Sequence, residues 1–161
     1  MKKILYSIAL LFTVTTLITA CSTTKNASTA SNAEVGRGKI TGTWTVNSIT
    51  YEGIVENAVQ SVFDQGPASL FQGSTWTLTN SGKGIYALTN GTTQSIFWSM
   101  TNTGGTPEFA FKKINEGEKP KEVASGYRLL VENADGDNLT LKAPVQYGGG
   151  SGYIVYHMTK K

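Results

Sequence analysis

Residues 74–100 read STWTLTNSGKGIYALTNGTTQSIFWSM, and this stretch decides the fold. Its large apolar side chains fall on every second position: Trp76 and Leu78, then Tyr86 and Leu88, then Ile96 and Trp98. A period of two places these on one face of a strand and the intervening polar residues on the other. Ser81-Gly82 and Asn90-Gly91 separate the three runs, and Asn-Gly supplies the positive φ that a two-residue hairpin turn requires. Three antiparallel strands follow, at about 74–80, 83–89 and 93–100.

The same period continues in both directions. Upstream, a strand over 40–51 carries Trp44 and Val46. Downstream, 107–114 carries Phe109 and Phe111, 126–133 carries Tyr127, Leu129 and Val131, and 138–143 carries Leu139 and Leu141. A last strand over 152–159 turns inward either Tyr153 and Val155 or, shifted by one, Ile154 and Tyr156. Asp135-Gly136 and the glycine-rich run 148–152 supply further turns. Short connections make neighbours in sequence neighbours in the sheet. Eight up-and-down strands whose last reaches the first leave no open edge. The expectation is an all-β, up-and-down antiparallel eight-stranded barrel.

One segment breaks the period of two. Ile54, Val55, Ala58, Val59, Val62 and Phe63 recur at helical spacing, with Glu56, Asn57, Gln60, Ser61 and Asp64 on the other face. This predicts a short helix between strands 1 and 2, stopped at Gly66-Pro67 and lying across one mouth of the barrel as a plug or a movable lid.

The chain has 161 residues, enough for one domain of ordinary size, with 18 Gly against 4 Pro. Its single Cys excludes an intramolecular disulfide, and its single His excludes a multi-His metal site. The net charge of +3 drops to +1 without Lys2 and Lys3, which leaves no field to recruit nucleic acid. No nucleophile elbow, phosphate-binding loop or paired-Cys spacing is present. Residues 148–152 lead into a strand and lack the helix N-terminus that cradles phosphate. His157 can face either way. Asp135-Gly136-Asp137-Asn138 lacks the further ligands of a calcium loop and reads as a turn. The chain reads as a non-enzyme without metal or cofactor.

The N-terminus is an address. Met1-Lys2-Lys3 precedes an apolar run from Ile4 to Leu17, the layout of an export signal and short for a membrane span. It ends in Leu17-Ile18-Thr19-Ala20-Cys21, which resembles the bacterial lipobox. The resemblance implies cleavage after Ala20, so that 1–20 is a signal peptide, and a diacylglyceryl thioether on Cys21. Two or three acyl chains anchor a soluble domain stably. Residues 21–38 then read as the lipidated Cys and a flexible tether with a reach of roughly 20–25 Å, and 39–161 as the barrel domain. In Bacteroidetes-type lipoproteins, which this N-terminus resembles, an acidic stretch after the Cys accompanies export to the cell surface. The resemblance implies that this chain, with Ser22-Thr23-Thr24 there, stays on the periplasmic side of the outer membrane.

Gly42-Thr43-Trp44, Gly73-Ser74-Thr75-Trp76-Thr77-Leu78, Gly84-Ile85-Tyr86, Ile96-Phe97-Trp98 and Gly126-Tyr127-Arg128-Leu129 together resemble the lipocalin-like domains of Bacteroidetes-type lipoproteins, over roughly residues 38–161. Gly42 and Trp44 match the family's Gly-x-Trp motif. The resemblance implies that Trp44 closes one barrel end beneath a basic residue from the last strand, with Lys160, Lys161 and Arg128 as candidates. It also implies a small hydrophobic ligand inside the barrel. Trp76, Tyr86, Trp98, Phe109, Phe111, Tyr127 and Leu129 share the predicted inner face and are the candidate ligand-binding residues. An eight-stranded barrel either holds one small ligand or is filled by its own side chains. The second case implies a structural or protein-interaction envelope lipoprotein, an accessory subunit or an inhibitor, acting through its loops.

Overall fold

The computed structural model describes residues 35–120 and 126–161. The leader, Cys21 and the tether up to residue 34 lie outside the described residues. Eight strands form one closed antiparallel barrel in chain order: β1 (Gly42–Glu52), β2 (Thr75–Leu78), β3 (Lys83–Ala87), β4 (Thr93–Thr103), β5 (Thr106–Lys113), β6 (Tyr127–Ala134), β7 (Asn138–Tyr147) and β8 (Gly150–Lys160). β8 pairs with β1 from Trp44↔Lys160 to Glu52↔Tyr153, so closure removes both edges.

The alternation does what a period of two requires. Trp44, Val46, Trp76, Leu78, Tyr86, Leu88, Ile96, Trp98, Phe109, Phe111, Leu129, Val131, Leu139 and Leu141 are all buried in one core. In β8 it is Ile154, Tyr156 and Met158 that join this core, while Tyr153 lies outside beneath the Lys142 ammonium, 5.3 Å from its ring centroid. His157 therefore faces outward, where its Nε2 meets Thr50 Oγ1 at 2.9 Å. Irregularities at Val46/Ser48 and Val131/Asn133 each insert one residue. The first flips the parity of β1, so that Ile49 and Tyr51 pack against the core after Trp44 and Val46.

Turns fall at the glycines, but at Asn90-Gly91 and Asp135-Gly136 the loops run longer than two residues. Leu88 N donates to Thr92 O, which makes 88–92 the β3–β4 loop. Between β6 and β7, Asp135 Oδ1 accepts from the backbone N–H groups of Asp137 and Asn138. Those bonds, with the Asn138 amide, hold the Asp135 carboxyl well below the usual carboxylate range. Two-residue turns are at Gly104-Gly105, between the paired Thr103 and Thr106, and at Gly148-Gly149, between the paired Tyr147 and Gly150, all four glycines at positive φ.

The continuous amphipathic helix is corrected. Residues 53–74 hold two short 3-10 turns, Glu56–Ala58 and Ala68–Phe71, with a tight reversal between them. Val62 N donates to Gly66 O and Gln65 N to Val62 O. Four β-branched residues, Ile54, Val55, Val59 and Val62, disfavour a helix this short. The reversal also lets Phe63 be buried by itself, leaving Val55 73 % exposed. Pro67 opens the second turn, where the ring fixes φ at −62°, instead of ending a first.

The chain enters at the barrel's closed end. Val35 packs against the core and Arg37–Ile40 forms one helical turn. Arg37 lies 4.6 Å from the Trp98 ring centroid and donates to Asn80 O. Trp44 Nε1 donates to Ile40 O at 2.7 Å, and Lys160 Nζ sits 5.3 Å over the Trp44 ring. The basic partner of Trp44 is thus Lys160. Arg128 is on the outer wall, paired with Glu108.

Candidate functional site

The other end, the mouth, gathers the groups with chemical potential. It is bounded by the 53–74 loop, the end of β5 with Lys113, the start of β6 with Tyr127, and the β7–β8 hairpin. Beneath it the interior is aromatic. Trp76 lies 5.0 Å from Tyr86 and 5.6 Å from Phe111, centroid to centroid. Phe111 lies 5.0 Å from Tyr127, and Phe109 stacks on Trp98 at 5.7 Å. The candidate ligand-binding residues are therefore brought together, but as a stack of touching rings. Trp98 lies at the closed end under Arg37, and Leu129 is buried core.

Three residues outside that candidate set complete the stack: Phe63, Phe71 and Tyr156. Phe63 is 8 % exposed and touches five rings, those of Phe71, Trp76, Phe111, Tyr127 and Tyr156, at 5.1 to 6.4 Å. Its φ is 52° and that of Asp64 is 48°. Two consecutive left-handed residues, one of them aromatic, cost about 1–3 kcal/mol each. Burying a phenylalanine returns about 1.5–3 kcal/mol and ring contacts about 0.5–1.5 kcal/mol more. Burial of the ring thus offsets the backbone strain of the reversal.

Polar contacts fasten the reversal to the wall. Tyr127 Oη donates to Asp64 Oδ2 at 2.5 Å, and Tyr86 Oη donates to Gln65 Oε1 at 3.0 Å. Lys113 Nζ donates to Phe63 O at 2.9 Å and to Asp64 O at 3.2 Å. Burial pushes the Tyr86 phenol up to about 12. Burial raises the Tyr127 phenol too, helped by the bond to Asp64 and its charge. Both stay neutral donors at any physiological pH.

Tyr156 differs. Its hydroxyl is buried and has no hydrogen-bond partner among the described residues, while its ring stacks on Phe63 at 5.7 Å and 29°. Burial, then the neighbouring Tyr51, raises its pKa far above the ordinary phenol value. An unpaired buried hydroxyl costs about 1–3 kcal/mol. Tyr156→Phe is therefore expected to raise the unfolding free energy by about 1 kcal/mol, read from guanidinium denaturation. A loss of stability of that size would mean the hydroxyl is paired in solution.

The wall is split beside the plug. β5 and β6 pair from Glu108↔Leu130 to Phe111↔Tyr127, whereas pairing of β6 with β7 begins only at Leu130↔Lys142. Residues 127–129 and 143–147 thus diverge at the mouth, where Pro144 has no N–H to offer a ladder. A cavity of about 480 Å³ lies in the seam, lined by Val59, Val62, Phe63, Tyr127, Pro144 and Val145 among others. A second, of about 720 Å³, lies against the outer wall at Phe97, Ala110, Lys112, Pro120 and Arg128, with Phe111 and Tyr127 also on its lining. Among the described residues, no group of three or more His, Cys, Asp or Glu side chains is placed to hold a metal.

Phe63, Asp64, Gln65 and Lys113 were not legible as site residues, since nothing in the local pattern signals a left-handed reversal at Phe63-Asp64. Tyr156 was one of two registers the alternation left open. Compared with protein-family models, curated proteins and solved structures, the chain matches none of them significantly.

Proposed function

We propose that the chain is a lipid-anchored, lipocalin-like binding protein of the bacterial outer membrane, periplasm-facing, that takes one small apolar molecule at the mouth of its barrel. The observation that carries this reading is Phe63. A ring held at positive φ fills the upper end of an aromatic interior, next to an unpaired hydroxyl and a split seam. That is the arrangement of a binding site with a removable occupant. The anchor on Cys21 supplies localisation only.

The touching rings favour a second reading, a structural or protein-interaction envelope lipoprotein with a filled barrel. The two part on a titration with the neutral probe N-phenyl-1-naphthylamine. Saturable enhancement of its emission at one site per chain supports the first reading. No saturable emission above that of empty membranes, from this neutral probe or from the anionic probe 8-anilino-1-naphthalenesulfonate, rules it out in favour of the second. For the anchor, the Cys21→Ser chain is expected in the soluble fraction, with the parent in the membrane fraction; equal fractionation of the two would remove the anchor from the proposal.

A further inference from the structure

Resting on the ligand-binding reading above, we propose that Phe63-Asp64-Gln65 is an internal occupant of the site, and that the molecule displacing it is an amphipathic anion with a flat apolar body and one terminal carboxylate.

The polarity of the contacts carries this. Every barrel group that fastens the reversal is a donor: the Tyr127 hydroxyl, the Tyr86 hydroxyl and the Lys113 ammonium. Every acceptor comes from the three-residue segment, as one carboxylate, one amide oxygen and two carbonyls. The ring between them occupies the apolar space. The segment therefore presents to the barrel an aromatic body flanked by an oxyanion. With it withdrawn, the wall offers three donors around an aromatic floor, one of them cationic. None of the ion pairs among the described residues engages Lys113, and Asp64, the carboxylate that meets Tyr127, leaves with the loop. A neutral apolar molecule would strand these donors, whereas a carboxylate satisfies them.

Tyr156 is the independent observation. Its hydroxyl is 2 % exposed as a residue, lacks an acceptor and belongs to the ring stacked on Phe63. The internal occupant pairs the other three donors and, though its ring stacks on Tyr156, leaves this hydroxyl unpaired beside Tyr51. A true ligand with a further oxygen completes the set. The seam cavity of about 480 Å³, which Phe63 itself lines, gives its ring space to swing into.

The test uses the full chain in lipid nanodiscs, with empty discs as blank, titrated calorimetrically with 2-naphthoate and with its neutral analogue 2-naphthamide. Phe63→Ala removes the ring, and Asp64→Gly removes the carboxylate while retaining a residue at ease at positive φ, should the first variant fold poorly. The expected result is naphthoate binding at least tenfold tighter to either variant than to the parent, and at least tenfold tighter than naphthamide. Lys113→Met should abolish that preference. Naphthoate affinity within twofold of the parent in both variants would show that the segment is not an occupant. Naphthamide binding as tightly as naphthoate would overturn the anionic class, with the apolar-ligand reading intact. No saturable binding of naphthoate, naphthamide or the neutral naphthylamine probe to any folded variant would end both.

Discussion

Trp44→Ala is expected to lower the unfolding free energy by about 3–5 kcal/mol, the cost of emptying a large buried aromatic site. Trp44 is fully buried at the closed end, donates its indole N–H to Ile40 O, and lies under Lys160. Truncation leaves a cavity, strands the Ile40 carbonyl and frees the helical turn Arg37–Ile40 that the bond holds. Trp44→Phe keeps much of the volume but loses the bond, and should cost distinctly less than alanine. Denaturant unfolding followed by circular dichroism measures both. A loss below about 1 kcal/mol in the alanine variant would show that this end is not a packed core.

Gly42→Ala is the second large effect, about 1–3 kcal/mol, from two separable causes of which the backbone is the larger. Gly42 has φ 143°, a region that only glycine visits comfortably. A Cβ there would also meet the flexible far end of the Lys160 side chain, which can shift at small cost but takes its ammonium off Trp44. The backbone conformation, more than the lysine, thus calls for glycine here. In a Lys160→Ala background the steric part should vanish and the backbone part persist, so Gly42→Ala should cost less there. A double-mutant cycle with coupling under about 0.3 kcal/mol would separate the glycine from the cation altogether.

Both predictions concern residues that were legible as a motif, and the reason is local. Gly42 and Trp44 sit two apart on a strand whose apolar set repeats every second residue, so their shared face follows from strand geometry. The choice of Lys160 over Arg128 does not follow. It depends on β8 pairing with β1 as Trp44↔Lys160, a contact across more than a hundred residues that closure alone creates. The inward set of β8 is the same kind of question. Tyr153, Ile154, Val155 and Tyr156 are all apolar enough for either face, and pairing with β1 and β7 decides between them.

The mouth shows the limit most clearly. Residues 54–63 carry a helical period, yet β-branched residues and the depth of the ring-lined interior make a tight reversal with Phe63 inserted more favourable than a helix lying across the rim. Lys113, Tyr86, Tyr127 and Tyr156 come from four strands and share no spacing that would associate them. The sequence alone determined the strands, their up-and-down order and the inner face of seven of them, because side-chain alternation and glycine-bearing turns act within a few residues. Only the tertiary structure decided what fills the barrel and which donors converge on residues 63–65. Those outcomes depend on competition for one enclosed volume among side chains distant along the chain.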